Sequence, residues 1–207
     1  MIWPSRGREG RRDRNDSASA PTNEEASKTM KPEDVETWMR ALQRFRERKD
    51  EFLRDDHESP FHGLEFAGLK YFEPDQRFRF DTELHRSTGS KSVVMTTSKG
   101  TRQLFNTVGS FELQIEGKAV RITAYQPAER DAPTIFVPFR DATSEAESYG
   151  AARYIDLEVE HDDRYAVDFN YAYNPYCAYS DTYVCPLPPR ENWLTVAIRA
   201  GEKKYHD

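Results

Sequence analysis

Cysteine is scarce. The 207-residue chain has two, Cys177 and Cys185, which excludes a disulfide framework for a protein of this size. No apolar run approaches the roughly 20 residues of a membrane-spanning helix. Met1-Ile2-Trp3-Pro4 leads into Arg-rich polar sequence rather than the apolar core of a signal peptide, so a soluble, cytoplasmic protein with no membrane partner is expected. Basic clusters are missing from the body of the chain: beyond residue 30, 24 Lys/Arg stand against 31 Asp/Glu. Phosphate binding needs clustered cations, so nucleic acid is not an expected partner. Several catalytic motifs are also missing. There is no G-x-S-x-G, no H-E-x-x-H and no dinucleotide fingerprint. Thr88-Gly89-Ser90-Lys91-Ser92 mimics the tail of a phosphate-binding loop but lacks the upstream Gly.

The first 30 residues are Arg, Ser, Asn and Glu with almost no apolar side chain after Trp3, a composition that predicts a disordered tail. A single globular domain over 31–207 is expected to follow. Lys31-Pro32-Glu33-Asp34 has the proline and acids of a helix start. Val35, Trp38, Leu42, Phe45, Phe52 and Leu53 then place one apolar stripe on a helix of about twenty residues. From Leu69 onward the period changes to two. Phe78, Phe80, Thr82 and Leu84 alternate with charged neighbours, and Ser92–Thr97, Arg102–Val108, Phe111–Ile115, Ala119–Tyr125, Thr134–Phe139, Arg153–Leu157, Tyr165–Phe169 and Leu194–Ile198 continue the pattern. The prediction is a mainly β (α+β) fold: an antiparallel sandwich or barrel of about eight or nine strands with one long N-terminal amphipathic helix.

Two stretches are denser in polar and aromatic side chains than a scaffold requires. Pro138-Phe139-Arg140-Asp141-Ala142-Thr143-Ser144 runs on to Tyr149-Gly150-Ala151-Ala152-Arg153-Tyr154-Ile155-Asp156. Asp168-Phe169-Asn170-Tyr171-Ala172-Tyr173-Asn174-Pro175-Tyr176-Cys177 leads to Cys185-Pro186-Leu187-Pro188-Pro189-Arg190-Glu191-Asn192. The second is too irregular and proline-rich for a helix and too aromatic for a linker, so it reads as a long ordered loop. Both resemble signatures of a bacterial and archaeal family known as domain-of-unknown-function family 1684, with the resemblance covering about residue 35 to Lys203. The resemblance implies that Arg140, Asp141, Tyr149, Gly150, Arg153, Asp168, Asn170, Asn174, Cys177, Cys185, Glu191 and Asn192 occupy motif positions. It implies little about activity, and the cofactor stays unknown.

Two functions are compatible with these residues. In the first, the 138–156 and 168–192 segments wall a small-molecule site, enzymatic or binding, for an anionic ligand. Arg140 and Arg153, aided by Asp141 and Tyr149, would anchor the anion. Asn170, Asn174 and Asn192 would orient it, and Asp168, Cys177 or Glu191 would carry any chemistry. In the second, the same residues only brace the long loop by hydrogen bonds. Cys177 and Cys185, with seven residues between them, are a disulfide or a thiol pair. A bridge there would stabilise by roughly 2–3 kcal/mol in the loop-entropy picture. A zinc site is disfavoured because no His lies close in sequence to complete four ligands. Asp156, Glu158 and Glu160 share one face of a strand and read as a solvated face. A homodimer is compatible with the sequence, and no residue pattern requires it.

Overall fold

Pro32 opens a helix, α1, that runs Pro32–Asp55 with Glu33 and Asp34 in its first turn. A fixed proline φ and acids beside the exposed amides both favour a start there. The structure, a computed structural model, describes residues 30–129 and 133–206. The expected disordered tail, Met30 apart, lies outside the described residues. The buried residues of α1 are Trp38, Leu42, Phe45, Lys49 and Leu53, one stripe at steps of three and four. Lys49 thus fills a core position between Phe45 and Leu53. Phe45 meets Tyr171 edge-on at 4.9 Å between centroids, and Trp38 Nε1 donates to Asp168 Oδ2 at 2.7 Å.

The period-two segments form β1 (Arg79–Glu83), β2 (His85–Thr96), β3 (Arg102–Ile115), β4 (Lys118–Pro127), β5 (Thr134–Phe139), β6 (Arg153–Glu158) and β7 (Arg164–Asp168). Strands β2 to β6 make a five-stranded sheet in chain order, and β1 pairs with β7 in a two-stranded one. All pairings are antiparallel. The sheets do not close into a barrel, so the fold is mainly β and sandwich-like. Glu116 (φ 51) and Gly117 (φ 75) link β3 to β4. Two successive left-handed residues are what a tight hairpin between right-twisted strands requires.

Alternation sorts side chains onto the two faces of the larger sheet. Ile135, Val137, Phe139, Ile155 and Leu157 point into the main core with Phe111, Ile122, Val167 and Ile198. Phe136 and Tyr154, one residue out of phase, lie on the opposite face with Met95, Phe105, Tyr125 and Tyr173. That second face carries the site described below.

Three details differ from the expected strands. Arg102–Val108 and Phe111–Ile115 are one continuous β3, whose register against β4 shifts between Thr107 and Gly109. Thr88–Ser92 lies inside β2, where the register against β3 shifts between Arg86 and Lys91. Leu194–Ile198 bends at Thr195 and Val196 and belongs to none of the strands. Its alternating burial is strand-like, yet it runs beside a turn rather than a strand. Leu194 N donates to Arg140 O and Ala142 N to Val196 O, while Ile198 N is met by the Asp141 side chain at 2.7 Å.

Candidate functional site

The tyrosine-rich segment crosses the second face of the five-stranded sheet as a strap. At one end Tyr173 and Tyr154 exchange backbone hydrogen bonds of 2.8 and 3.0 Å; at the other, Ser98 N donates to Cys185 O and Leu187 N to Thr96 O, both at 2.8 Å. Between these anchor points and the sheet lies a cavity of about 170 Å³. Phe105, Thr134, Phe136, Tyr154 and Asp156 come to it from β3, β5 and β6, Lys49 from α1, and Tyr173, Tyr176, Tyr183 and Cys185 from the strap. Phe136 and Tyr154 meet edge-on at 4.7 Å, and Tyr154 and Tyr173 at 5.8 Å.

Few polar groups interrupt this lining. Tyr173 Oη donates to Asp156 Oδ2 at 2.5 Å. Asp156 as a residue is partly exposed, but its Oδ1 is buried and, like Thr134 Oγ1, has no hydrogen-bond partner among the described residues. Desolvation raises the Asp156 carboxyl to about 6, against the opposing pull of the Tyr173 hydroxyl. The tyrosine hydroxyls respond in the same direction: burial holds both Tyr154 and Tyr173 well above the ordinary phenol range. Lys49 Nζ forms an ion pair with Glu202 Oε1 and sits 4.7 Å from the centre of the Tyr173 ring. Burial lowers its pKa, opposed chiefly by Glu202. Asn174 N and Tyr179 Oη complete the Glu202 carboxylate at 2.8 and 2.7 Å. Gly201 (φ 77) makes this approach feasible, since a Cβ there would fall 2.5 Å from Ala172 O.

The motif residues divide into groups rather than one cluster. Arg153 is 1% exposed and donates to Ala200 O at 2.5 Å, Ile198 O at 2.8 Å and Asp141 Oδ1 at 3.1 Å. Asp168 Oδ1 accepts from Asn170 N and Nδ2, and Asn170 exchanges hydrogen bonds with the Asp75 backbone. Asn192 bridges Thr123 and the Pro138 carbonyl. Glu191 is exposed and accepts from Tyr125 Oη at 2.9 Å. Asn174 Nδ2 donates to Lys203 O, leaving its Oδ1 buried without a partner among the described residues. Arg140 and Tyr149 reach a separate surface groove with Gly150 and Trp193. Arg140 there pairs with Glu145 at 3.1 Å and stacks 4.7 Å from the Trp193 ring. Cys177 and Cys185 are free thiols, and Cys177 N donates to Cys185 Sγ at 3.4 Å.

Sequence reasoning missed Lys49, Thr134 and Glu202, and it assigned Asp156 to a solvated face. The signals were present but weak. Position 49 completes the spacing of the apolar stripe, and Asp156 shares the face of Tyr154 by period two. Among the described residues no group of three or more His, Cys, Asp or Glu is arranged to hold a metal ion. No helix among them is long and apolar enough to cross a membrane.

A family model described as "Protein of unknown function (DUF1684)" matches residues 64–203. The match begins after α1, later than the resemblance suggests, so Lys49 falls outside it while Asp156, Tyr173 and Glu202 fall within. Among solved structures, the solution NMR structure of an uncharacterised protein of Haloarcula marismortui is similar at 38% identity, covering 83% of this chain and 96% of that one, with a TM-score of 0.65. No curated protein matches the chain.

Proposed function

The chain belongs to the DUF1684 family of unknown function, and from its own geometry we propose that it binds a small, planar, largely apolar molecule under the tyrosine strap, with Asp156 as the recognition group. One observation carries this reading: a buried carboxyl oxygen and a buried hydroxyl, Asp156 Oδ1 and Thr134 Oγ1, stand without partners on the wall of an aromatic cavity. Buried polar atoms are ordinarily paired, and an orphaned acceptor calls for a donor. A ligand N–H or O–H supplies it. A void of about 150 Å³ takes a benzene-sized guest, so a single substituted ring is the right scale.

The anionic ligand expected from the sequence fits this cavity poorly. Asp156 would repel an anion; of its two expected anchors, Arg153 is committed to backbone carbonyls and Asp141, and Arg140 lies in the separate groove paired with Glu145. A donor-bearing neutral or weakly basic ring fits better. The two expected segments supply part of the lining, Tyr154 and Asp156 from one and residues between Tyr173 and Pro186 from the other, while Lys49, Phe105, Thr134 and Phe136 lie outside both. With its carboxyl at about 6, Asp156 is suited to exchange a proton with a bound ligand near neutral pH, which leaves room for catalysis at the same position. The bracing reading applies to a different set, Arg153, Asp168, Asn170 and Asn192, whose polar groups are directed at backbone and neighbouring side chains.

Titration calorimetry with phenol and with toluene tests the proposal. Phenol should bind the wild type about tenfold tighter than toluene, the worth of roughly 1.4 kcal/mol for one donated hydrogen bond. In Asp156→Ala, which leaves no hydrogen-bonding side-chain atom at this position, the preference should vanish. Equal affinity for the two probes in the wild type, or no binding of either to folded protein, sinks the reading.

A further inference from the structure

We propose that Cys177 and Cys185 form a peroxide-reactive dithiol, in which Cys177 is oxidised first and Cys185 resolves it to a disulfide that ties down the strap. The inference stands on the hydrogen bond from Cys177 N to Cys185 Sγ, which places the second thiol against the first residue, and does not depend on the ligand reading. The two side chains have different surroundings. Cys177 is partly exposed, and Tyr149 Oη lies 3.8 Å from its sulfur and 3.3 Å from its carbonyl oxygen. Cys185 is 7% exposed, and its sulfur accepts from Cys177 N at 3.4 Å. Hydrogen bonds from the Cys185 thiol, then from Tyr149 and Ser98, hold the Cys177 thiol down to about 6. The same contact with Cys177, followed by burial, pushes Cys185 up. The pairing thus favours the thiolate at Cys177 and the protonated thiol at Cys185. This is the division of labour that oxidation to a disulfide needs.

The chemistry balances with one peroxide molecule. The Cys177 thiolate attacks a peroxide oxygen; the O–O bond breaks, an S–O bond forms, and hydroxide takes a proton to leave as water. Sulfur is oxidised to a sulfenic acid and the peroxide is reduced. The Cys185 sulfur then attacks the Cys177 sulfur. The S–S bond forms as the S–O bond breaks, and the Cys185 proton departs with the hydroxide as a second water. Both thiols sit at the strap: Cys185 and Tyr176, the residue before Cys177, line the cavity with Tyr183 and Val184 between them. A bridge closes that stretch into a ring and restrains one wall of the cavity.

Treating the full-length protein with one equivalent of hydrogen peroxide, followed by alkylation, dimedone trapping and intact mass, tests this. The wild type should lose the mass of two hydrogens and resist alkylation until reduced. Cys185→Ser should carry one dimedone adduct at Cys177, and Cys177→Ser should show neither change. Hydrogen exchange over residues 178–184 should slow in the oxidised wild type. The redox site is overturned if the wild type keeps two alkylatable thiols, or if Cys177→Ser traps dimedone at Cys185 as readily. Unchanged exchange in a crosslinked protein overturns the restraint on the cavity wall.

Discussion

Asp156 sits where a carboxylate is disfavoured, and the sign of its effect on stability can be worked out. Its folded pKa is about 6, against roughly 4 for a free side chain. Between those values the native protein holds the proton while the unfolded chain has lost it. Stability from this group is full below about pH 4, falls as pH rises through about 6, and is flat above. Asp156→Asn removes the charged form and keeps an acceptor for Tyr173. Urea unfolding should find the variant more stable at pH 7, by up to about 3 kcal/mol, with the gain shrinking toward pH 4. A variant less stable than the wild type at pH 7 would show that Asp156 braces the fold. Little of this was legible in the sequence: period two gave Asp156 its face, but which face the strap covers depends on the pairing of Tyr154 in β6 with Tyr173, 19 positions further along the chain. Arg153 was legible as important and not as buried, because a guanidinium surrounded by carbonyls and one poised for a ligand have the same one-letter code.

At the scale of elements, helix α1 and the strands followed from periodicity, and the exceptions are instructive. Leu194–Ile198 has a strand's alternation, but its neighbour is the 140–148 turn, whose Asp141 side chain stands in for a ladder carbonyl. In α1, the stripe has an ammonium group where an apolar residue would be expected. Lys49 links the helix to Glu202, a residue carried on the close approach of Gly201 to the Phe169–Ala172 turn. Both side chains are 1% exposed, so removing one leaves the other buried without its counter-charge. Lys49→Ala should cost about 3–5 kcal/mol and lower the melting temperature by about 10 °C. Calorimetry showing a loss below about 1 kcal/mol would mean that Glu202 is satisfied by Asn174 and Tyr179 alone.

Across the whole molecule, the larger sheet separates two kinds of interior. One face packs Ile, Val, Leu and Phe against the β1–β7 sheet and the Leu194–Ala200 segment, a core whose pattern is plain in the sequence. The other packs tyrosines and phenylalanines under an irregular strap and leaves a cavity with unpaired polar atoms at its wall. Arg153, Asp168 and Asn192 are hydrogen-bonded into other segments of the fold and do not line that cavity. The site itself is built by residues far apart in sequence, from Lys49 in α1 to Cys185 in the strap, and no local pattern announces such a convergence. The most direct measurement is therefore a crystal structure of the protein grown with phenol. The account predicts the ring in the cavity between Phe136, Tyr154 and Tyr173, with its hydroxyl within hydrogen-bond distance of Asp156 Oδ1. Phenol bound elsewhere with the cavity unfilled, or a hydroxyl turned away from Asp156, would contradict it.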